Sequence, residues 1–322
     1  MEGGTYMTYV KEKTKQYLAK FNQLPTLTTM TAERARALRA AVPPVQVKTG
    51  HVAKIDNQTI TARDGAQIPV RIYTSVGEGP FPVIVYYHGG GWVLNNLNTC
   101  HASCTLLAEK TNSVVVSVEY RLAPEFKFPT PVFDAYDAFD WVKNEAEKLR
   151  GNGMISVAGD SAGGNLATGV ALLAKEANIQ IDTQILLYPV TDLSYDSNSY
   201  ETYATNYGLD RDVMKWFGDL YIRVPEDAQN PLLAPIRADV TGLPSTFLVV
   251  AENDVLRDEG LAYAKKLQQS GIVVTQSIAS GLVHSYFTKN DVFEEEIDET
   301  IEEIARFLGQ STHQHYKQAQ SF

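Results

Sequence analysis

Cysteine is nearly absent from this chain. It has 322 residues and only 2 Cys, too few for a disulfide framework. Cys100 and Cys104 sit four apart in a stretch that reads as helix, as two reduced small side chains. Even with His101 they lack a fourth ligand nearby, so no metal site is expected. Basic charge is short as well: 28 Lys plus Arg stand against 38 Asp plus Glu, a formal net charge of −10. Neutralising phosphates needs a basic footprint, so nucleic-acid binding is excluded as the main function. Long apolar runs are missing. Stretches such as Val83 to Tyr87 and Phe247 to Ala251 fall far below the roughly 20 residues of a membrane-spanning helix. Met1 to Met7 lead into Lys11, Lys13 and Lys15 without an apolar segment. No secretory leader is expected, and a reduced, cytoplasmic setting is the default. What remains, 44% hydrophobic and 20% charged residues, is the composition of a folded chain able to bury a sizeable core.

Two polar helices are expected first. Val10 to Phe21 carries Tyr17, Leu18 and Phe21, and Thr31 caps Ala32 to Val42 before Pro43-Pro44. Strands follow: Val45 to Ile55 and Ile60 to Ala62 with Asp56-Asn57 as a turn, then, after Asp64-Gly65, alternating Ile68, Val70 and Ile72. Pro82 to Tyr87, Val114 to Val118, Ile155 to Ala158, Ile185 to Tyr188 and Phe247 to Ala251 are continuously apolar. Such runs are strands covered on both faces, hence a parallel sheet. Between them lie helical periods such as Phe133, Tyr136, Phe139, Val142 and Leu166, Val170, Leu173. The class is therefore α/β, an open sheet with helices on both faces. Residues 192–235 break the rhythm with aromatics and no strand, and read as a helical insertion. Five parts result: N-terminal helices 1–44 joining a cap, core 45–191, cap insertion 192–235, core 236–308 and a polar tail 309–322, expected to fray after a helix Val292 to Leu308.

The strand Ile155 to Ala158 runs directly into Gly159-Asp160-Ser161-Ala162-Gly163-Gly164 and then a helix. In that context G-x-S-x-G presents Ser161 as a nucleophile on a strained turn, with the glycines permitting the close approach. No Lys follows, which excludes a phosphate loop. His88-Gly89-Gly90-Gly91-Trp92 follows another strand. Bare backbone there suits an oxyanion hole, with Gly89, Gly90 and Ala162 as the expected donors. Histidine is scarce, and that narrows the base. Of His51, His88, His101, His284, His313 and His315, only His284 lies in a loop after a late strand, where ligands meet an open sheet. His88 ends a buried strand and is read as bonding within its loop. Asp254, at the turn beyond Phe247 to Ala251, is the expected orienter, with Glu252 as the alternative; Asp258 and Glu259 already fall in the next helix's first turn. The order Ser161, Asp254, His284 suits this arrangement. Trp92, Asp160, Tyr203, Tyr207, Trp216 and Phe217 are the candidates for lining the substrate pocket.

These motifs carry a resemblance. Together with Tyr120-Arg121-Leu122-Ala123-Pro124-Glu125, Phe128-Pro129, Asn230-Pro231, Leu243-Pro244 and Asp254 to Gly260, they run from about residue 65 to residue 308. The chain resembles the microbial hormone-sensitive-lipase-like carboxylesterases of the α/β-hydrolase superfamily. The resemblance implies a mostly parallel sheet of about eight strands with a helical cap. It implies ester hydrolysis through an acyl-enzyme, with Ser161, Asp254 and His284 as triad. It also implies no cofactor, and an Arg121–Glu125 pair near the site. Many members carry Pro where this chain has Val255. Plant relatives that are hormone receptors have lost the catalytic histidine, which this chain keeps. A short acyl ester and water are the expected partners, with no nucleic acid and no membrane anchor, and a homodimer is left open. The alternatives are an amide hydrolase or deacetylase with the same triad, and a ligand-binding protein of the same fold.

Overall fold

The computed structural model describes residues 9–43 and 45–319, with side chains to residue 310. Pro44, the segment Met1 to Met7, and the side chains of His313 and His315 lie outside the described residues. The sheet is built from β1 (Val52–Thr61), β2 (Gln67–Ser75), β3 (Phe81–Tyr87), β4 (Val114–Val118), β5 (Gly151–Asp160), β6 (Thr183–Leu187), β7 (Ser245–Asn253) and β8 (Val274–Val283). Their order is β1-β2-β4-β3-β5-β6-β7-β8. β1 pairs antiparallel with β2, and β2 with β4; from β4 onward every pair is parallel. The strand order reverses between β3 and β5, and that switch point opens a crevice at their carboxyl ends.

The continuous apolar runs are explained by two cores. In β3, Val83, Val85 and Tyr87 enter one hydrophobic cluster and Ile84 and Tyr86 the other. Leu248 and Val250 of β7 go to the first, while Phe247, Val249 and Ala251 go to the second. A strand's two-residue period puts neighbours on opposite faces, so both sets must be apolar when both faces are covered. On one face pack α4 (Thr130–Glu145), α5 (Ala162–Glu176) and α8 (Arg257–Gln269). On the other lie α3 (His101–Thr111) and α9 (Glu294–Ala319). Ahead of the sheet come α1 (Glu12–Phe21) and α2 (Ala32–Ala40), the latter capped by Thr31, whose Oγ1 accepts the Arg34 N–H at 3.2 Å. Between β6 and β7, residues 192–235 hold α6 (Asn198–Thr202), α7 (Arg211–Tyr221) and short 3-10 turns.

Three sequence expectations are corrected. Asp56 and Asn57 are no turn: β1 runs through them, opposite Ile72 and Arg71. An edge strand facing solvent tolerates such residues because its outer side carries no core. The last helix does not end at Leu308 but continues to Ala319, its Gln, Lys and Ala being good helix formers without an apolar stripe. Arg121 does not pair with Glu125. It takes Asp134 of α4 at 2.6 Å and Asp64 at 2.8 Å, while Glu125 is held by Arg36 of α2. Among the described residues no helix is long and apolar enough to cross a membrane.

Candidate active site

Ser161 forms the turn between β5 and α5 with φ 57° and ψ −119°, a region that costs an ordinary residue roughly 1–3 kcal/mol. The surroundings enforce it. A Cβ on Gly163 would run into the Tyr87 carbonyl of β3, and one on Gly159 into the Gly163 backbone. Only glycine lets the helix start so close to the strand. The Ser161 N–H donates to the Leu187 carbonyl at 2.8 Å, tying the elbow to β6.

His284 directly follows β8, next to Ser285 at φ 63° and just beyond Gly281 at φ 72°. Its Nδ1 lies 2.6 Å from Asp254 Oδ2 and its Nε2 lies 2.8 Å from Ser161 Oγ. An ionised carboxylate can only accept, so Nδ1 carries the proton and donates it to Asp254. The Nε2 lone pair then faces the serine hydroxyl, which donates to it. Asp254 is buried, and its other oxygen accepts the Leu256 N–H at 3.0 Å. Both carboxylate oxygens are thus held and the imidazole is fixed in one tautomer. Glu252, the alternative orienter, is elsewhere: its Oε2 accepts from Ser280 Oγ at 2.8 Å and the Gly281 N–H at 2.7 Å. It braces the loop that delivers His284 without touching the ring.

The glycine loop differs from expectation in one donor. The Gly89 N–H is given to Asp160 Oδ1 at 3.0 Å and is therefore not free for an oxyanion. Asp160 also accepts from the Tyr86 hydroxyl at 2.8 Å, and burial raises its carboxyl above the ordinary range. It is a buried brace under the loop and has no pocket-lining surface. Gly90 and Gly91 have φ of 114° and 60°, and no acceptor is bonded to either N–H among the described residues. The Ala162 N–H opens α5, where the first helical N–H groups lack an intrahelical partner. His88 bonds within the loop: its Nδ1 lies 2.8 Å from the Gly89 carbonyl, and its ring stacks on Tyr120 at 4.4 Å. Burial pushes its pKa down to about 4, so it stays neutral.

The cap aromatics split. Trp92 is fully buried and stacks on Tyr221 of α7 at 4.4 Å. It joins the loop to the cap and is closed off from solvent. Phe217, from the same helix, lies where a Cβ of Gly91 would be, and half-buried Trp216 meets it edge-on at 5.2 Å. Tyr203 is turned away into a bond with Arg257 at 2.8 Å. Half-buried Tyr207 packs edge-on against it at 5.0 Å.

Three contributors were not singled out from sequence. Tyr188, at φ 38°, sets its ring edge-on to the His284 imidazole at 4.9 Å. Arg36 of α2 donates to the Val93 carbonyl at 2.8 Å and to the Ala123 carbonyl, clamping the chain beyond the glycines. Glu259 is no ordinary acid of a helix's first turn. It is buried, its Oε1 accepts the Thr191 N–H at 2.7 Å and the Asp192 N–H at 3.2 Å, and burial pushes its pKa up to about 8. A charged run in sequence gave no hint that this one member turns inward. Among the described residues no group of His, Cys, Asp or Glu could hold a metal ion. A cleft of about 210 Å³ between β8 and α9, walled by Ser277, Leu282, Glu296 and Glu303, includes none of the triad.

A family model described as an alpha/beta hydrolase fold matches residues 84–288. An ethyl acetate hydrolase from Pseudomonas putida is 35% identical over 248 residues, 75% of this chain and 78% of its own. An arylesterase from Saccharolobus solfataricus is 36% identical over 223 residues, 68% and 73% of the two chains. The crystal structure of a thermostable esterase from Pseudomonas putida superposes with a TM-score of 0.87 at 32% identity, over 92% of this chain and 96% of that one.

Proposed function

This chain belongs to the α/β-hydrolase esterases related to hormone-sensitive lipase, and on that premise we propose that its substrates are small esters with short acyl chains. It is a serine ester hydrolase. The observation that carries this is the unbroken relay of 2.6 Å from Asp254 to His284 and 2.8 Å from His284 to Ser161. Ser161 Oγ attacks the ester carbonyl while His284 Nε2 takes its proton. Asp254 steadies the imidazolium. Collapse of the tetrahedral intermediate breaks the bond to the alcohol, which leaves with the proton from His284. Water then repeats the sequence on the acyl-enzyme and releases the acid.

We assign the oxyanion to the N–H groups of Gly90, Gly91 and Ala162. Gly91 takes the place expected of Gly89, whose N–H is held by Asp160. Preorganised donors of this kind are worth about 10²- to 10³-fold each in turnover.

The short-acyl reading is supported by α7, which presses Phe217 directly onto the glycine loop. An open groove for long chains does not fit under that contact. Two relatives, an ethyl acetate hydrolase and an arylesterase, are named for small ester substrates, which supports the same reading. While room remains, each methylene adds about 0.8 kcal/mol; past the end of the pocket, overpacking reverses the gain. Catalytic efficiency toward nitrophenyl esters from acetate to palmitate is expected to peak at acyl chains of roughly two to six carbons, with the matching anilide turned over poorly. A maximum at decanoate or beyond contradicts the closed pocket.

A further inference from the structure

Three consecutive side chains at the start of α8 each grip a different part of the cap insertion. Arg257 Nη1 donates to the Tyr203 hydroxyl at 2.8 Å, with its guanidinium 5.1 Å from the centre of that ring. Asp258 Oδ2 accepts the Ser199 N–H of α6 at 2.8 Å. Glu259 Oε1 accepts the Thr191 and Asp192 N–H groups, where the chain enters the insertion. The first turn of a helix favours acids on charge grounds alone, but that does not bind each of them to a separate point of one insertion. The turn ahead of α8 also carries Asp254. The anchorage of the cap and the orienter of the triad thus share one short segment.

Ser199 joins the two. Its Oγ lies 2.6 Å from the Val255 carbonyl, which can only accept, so the hydroxyl donates there. Its lone pairs face the Asp258 N–H at 3.2 Å and the Ser197 hydroxyl at 3.0 Å, which leaves the group fully used. The Val255 carbonyl belongs to the peptide unit whose N–H, on Leu256, donates to Asp254 Oδ1 at 3.0 Å. In a planar trans peptide the C=O and N–H point in opposite directions. One stiff unit therefore lies between a cap hydroxyl and the carboxylate whose other oxygen meets His284 Nδ1 at 2.6 Å. A hydrogen bond at the carbonyl also polarises the amide and makes its N–H a better donor. Ser199, Val255, Leu256 and Asp254 are all buried, where bulk water does not replace a lost hydrogen bond.

We propose that Ser199 of the cap is a positioning residue for the triad: through the Val255–Leu256 peptide it holds Asp254 in line with His284. The inference rests on the esterase reading and gives the cap a part in ordering the triad. The torsion that turns an aspartate carboxylate is soft and roughly two-fold, so whatever anchors Oδ1 decides where Oδ2 points. With the peptide pinned on its cap side, the Leu256 N–H stays aimed at Oδ1. Without the Ser199 hydroxyl the peptide is free to tilt, Oδ1 loses its anchor and the contact with His284 loses its alignment. None of these groups is open to solvent, so the ester does not touch them. The loss then falls on kcat and leaves KM nearly unchanged.

The test compares three variants of the full chain. Ser199→Ala removes the hydroxyl, and Ser199→Thr supplies one again. Tyr203→Phe cuts the cap's bond to Arg257 and leaves the Val255–Leu256 peptide alone. Proton NMR of the resting protein reads the His284 Nδ1 proton, which resonates far downfield when it sits in so short a bond to a carboxylate. In Ser199→Ala that signal should move upfield and broaden, while Ser199→Thr and Tyr203→Phe should keep it. Toward a short nitrophenyl ester, kcat of Ser199→Ala should fall about tenfold, the scale of one lost hydrogen bond, with KM little changed. Ser199→Thr should recover most of that rate. A signal unmoved in Ser199→Ala, or moved as far by Tyr203→Phe, overturns the positioning role. If Ser199→Ala does not fold, Ser199→Cys, whose thiol fills the site but donates weakly, takes its place in both measurements. Should wild type hydrolyse no ester, the esterase reading fails; the NMR comparison needs no turnover and still decides whether Ser199 holds Asp254.

Discussion

The ring of Phe217 occupies the space that a Cβ on Gly91 would need. A helix of the cap thus rests directly on backbone that we assign to the oxyanion hole, and side-chain size at residue 91 bears on both. Gly91→Ala should lower kcat by about 10²-fold, the scale of one lost oxyanion donor, with far-UV circular dichroism unchanged. Adding Phe217→Ala removes the collision and leaves the left-handed strain at φ 60°, roughly 1–3 kcal/mol. Part of the rate should return. A double variant no faster than Gly91→Ala contradicts the crowding argument.

Asp254 and Glu252 are two residues apart and do different work. Asp254→Asn presents an amide to the 2.6 Å contact with His284, favours the wrong tautomer and should cost about 10⁴-fold in kcat. In Glu252→Gln the amide oxygen can still accept from Ser280 and Gly281, so a loss under about tenfold is expected. Steady-state kinetics on both variants checks the ranking, and the reverse order contradicts it.

Glu259 predicts a pH dependence of stability. Its folded pKa, about 8, lies above the ordinary 4.5 because burial disfavours the charge. Between those values the folded state holds a proton that the unfolded chain has lost. Stability from this group is therefore complete at low pH and falls as pH rises toward 8, by at most about 1.4 kcal/mol per pH unit. Glu259→Gln keeps an acceptor for the Thr191 and Asp192 N–H groups but cannot ionise. Urea unfolding at a series of pH values should show a shallower decline for this variant than for wild type. Parallel declines contradict a neutral buried carboxyl.

Much of this molecule is legible in its sequence, for a physical reason. Strands buried on both faces must be apolar at every position, which is how β4 shows itself as Val114 to Val118. The elbow at Ser161 shows itself because no side chain fits at Gly159 or Gly163. Edge elements lack that constraint, so β1 reads as two strands and a turn where one strand runs through Asp56 and Asn57. Pairings across the fold are the least legible. Arg121 and Glu125 sit together in the chain, yet each finds its partner on a different helix. Which glycine N–H remains free depends on where Asp160 points, and spacing along the chain carries no trace of that.

The central claim is that Ser161 forms a covalent acyl-enzyme. Its most direct measurement is mass spectrometry of the intact protein and its peptides after treatment with a phosphonate ester, with activity followed on the same sample. One adduct per chain is expected, on Ser161, rising in step with the loss of esterase activity, and no adduct in Ser161→Ala, whose turnover should be lower by about a millionfold. An adduct on another residue, or full esterase activity in Ser161→Ala, would contradict it.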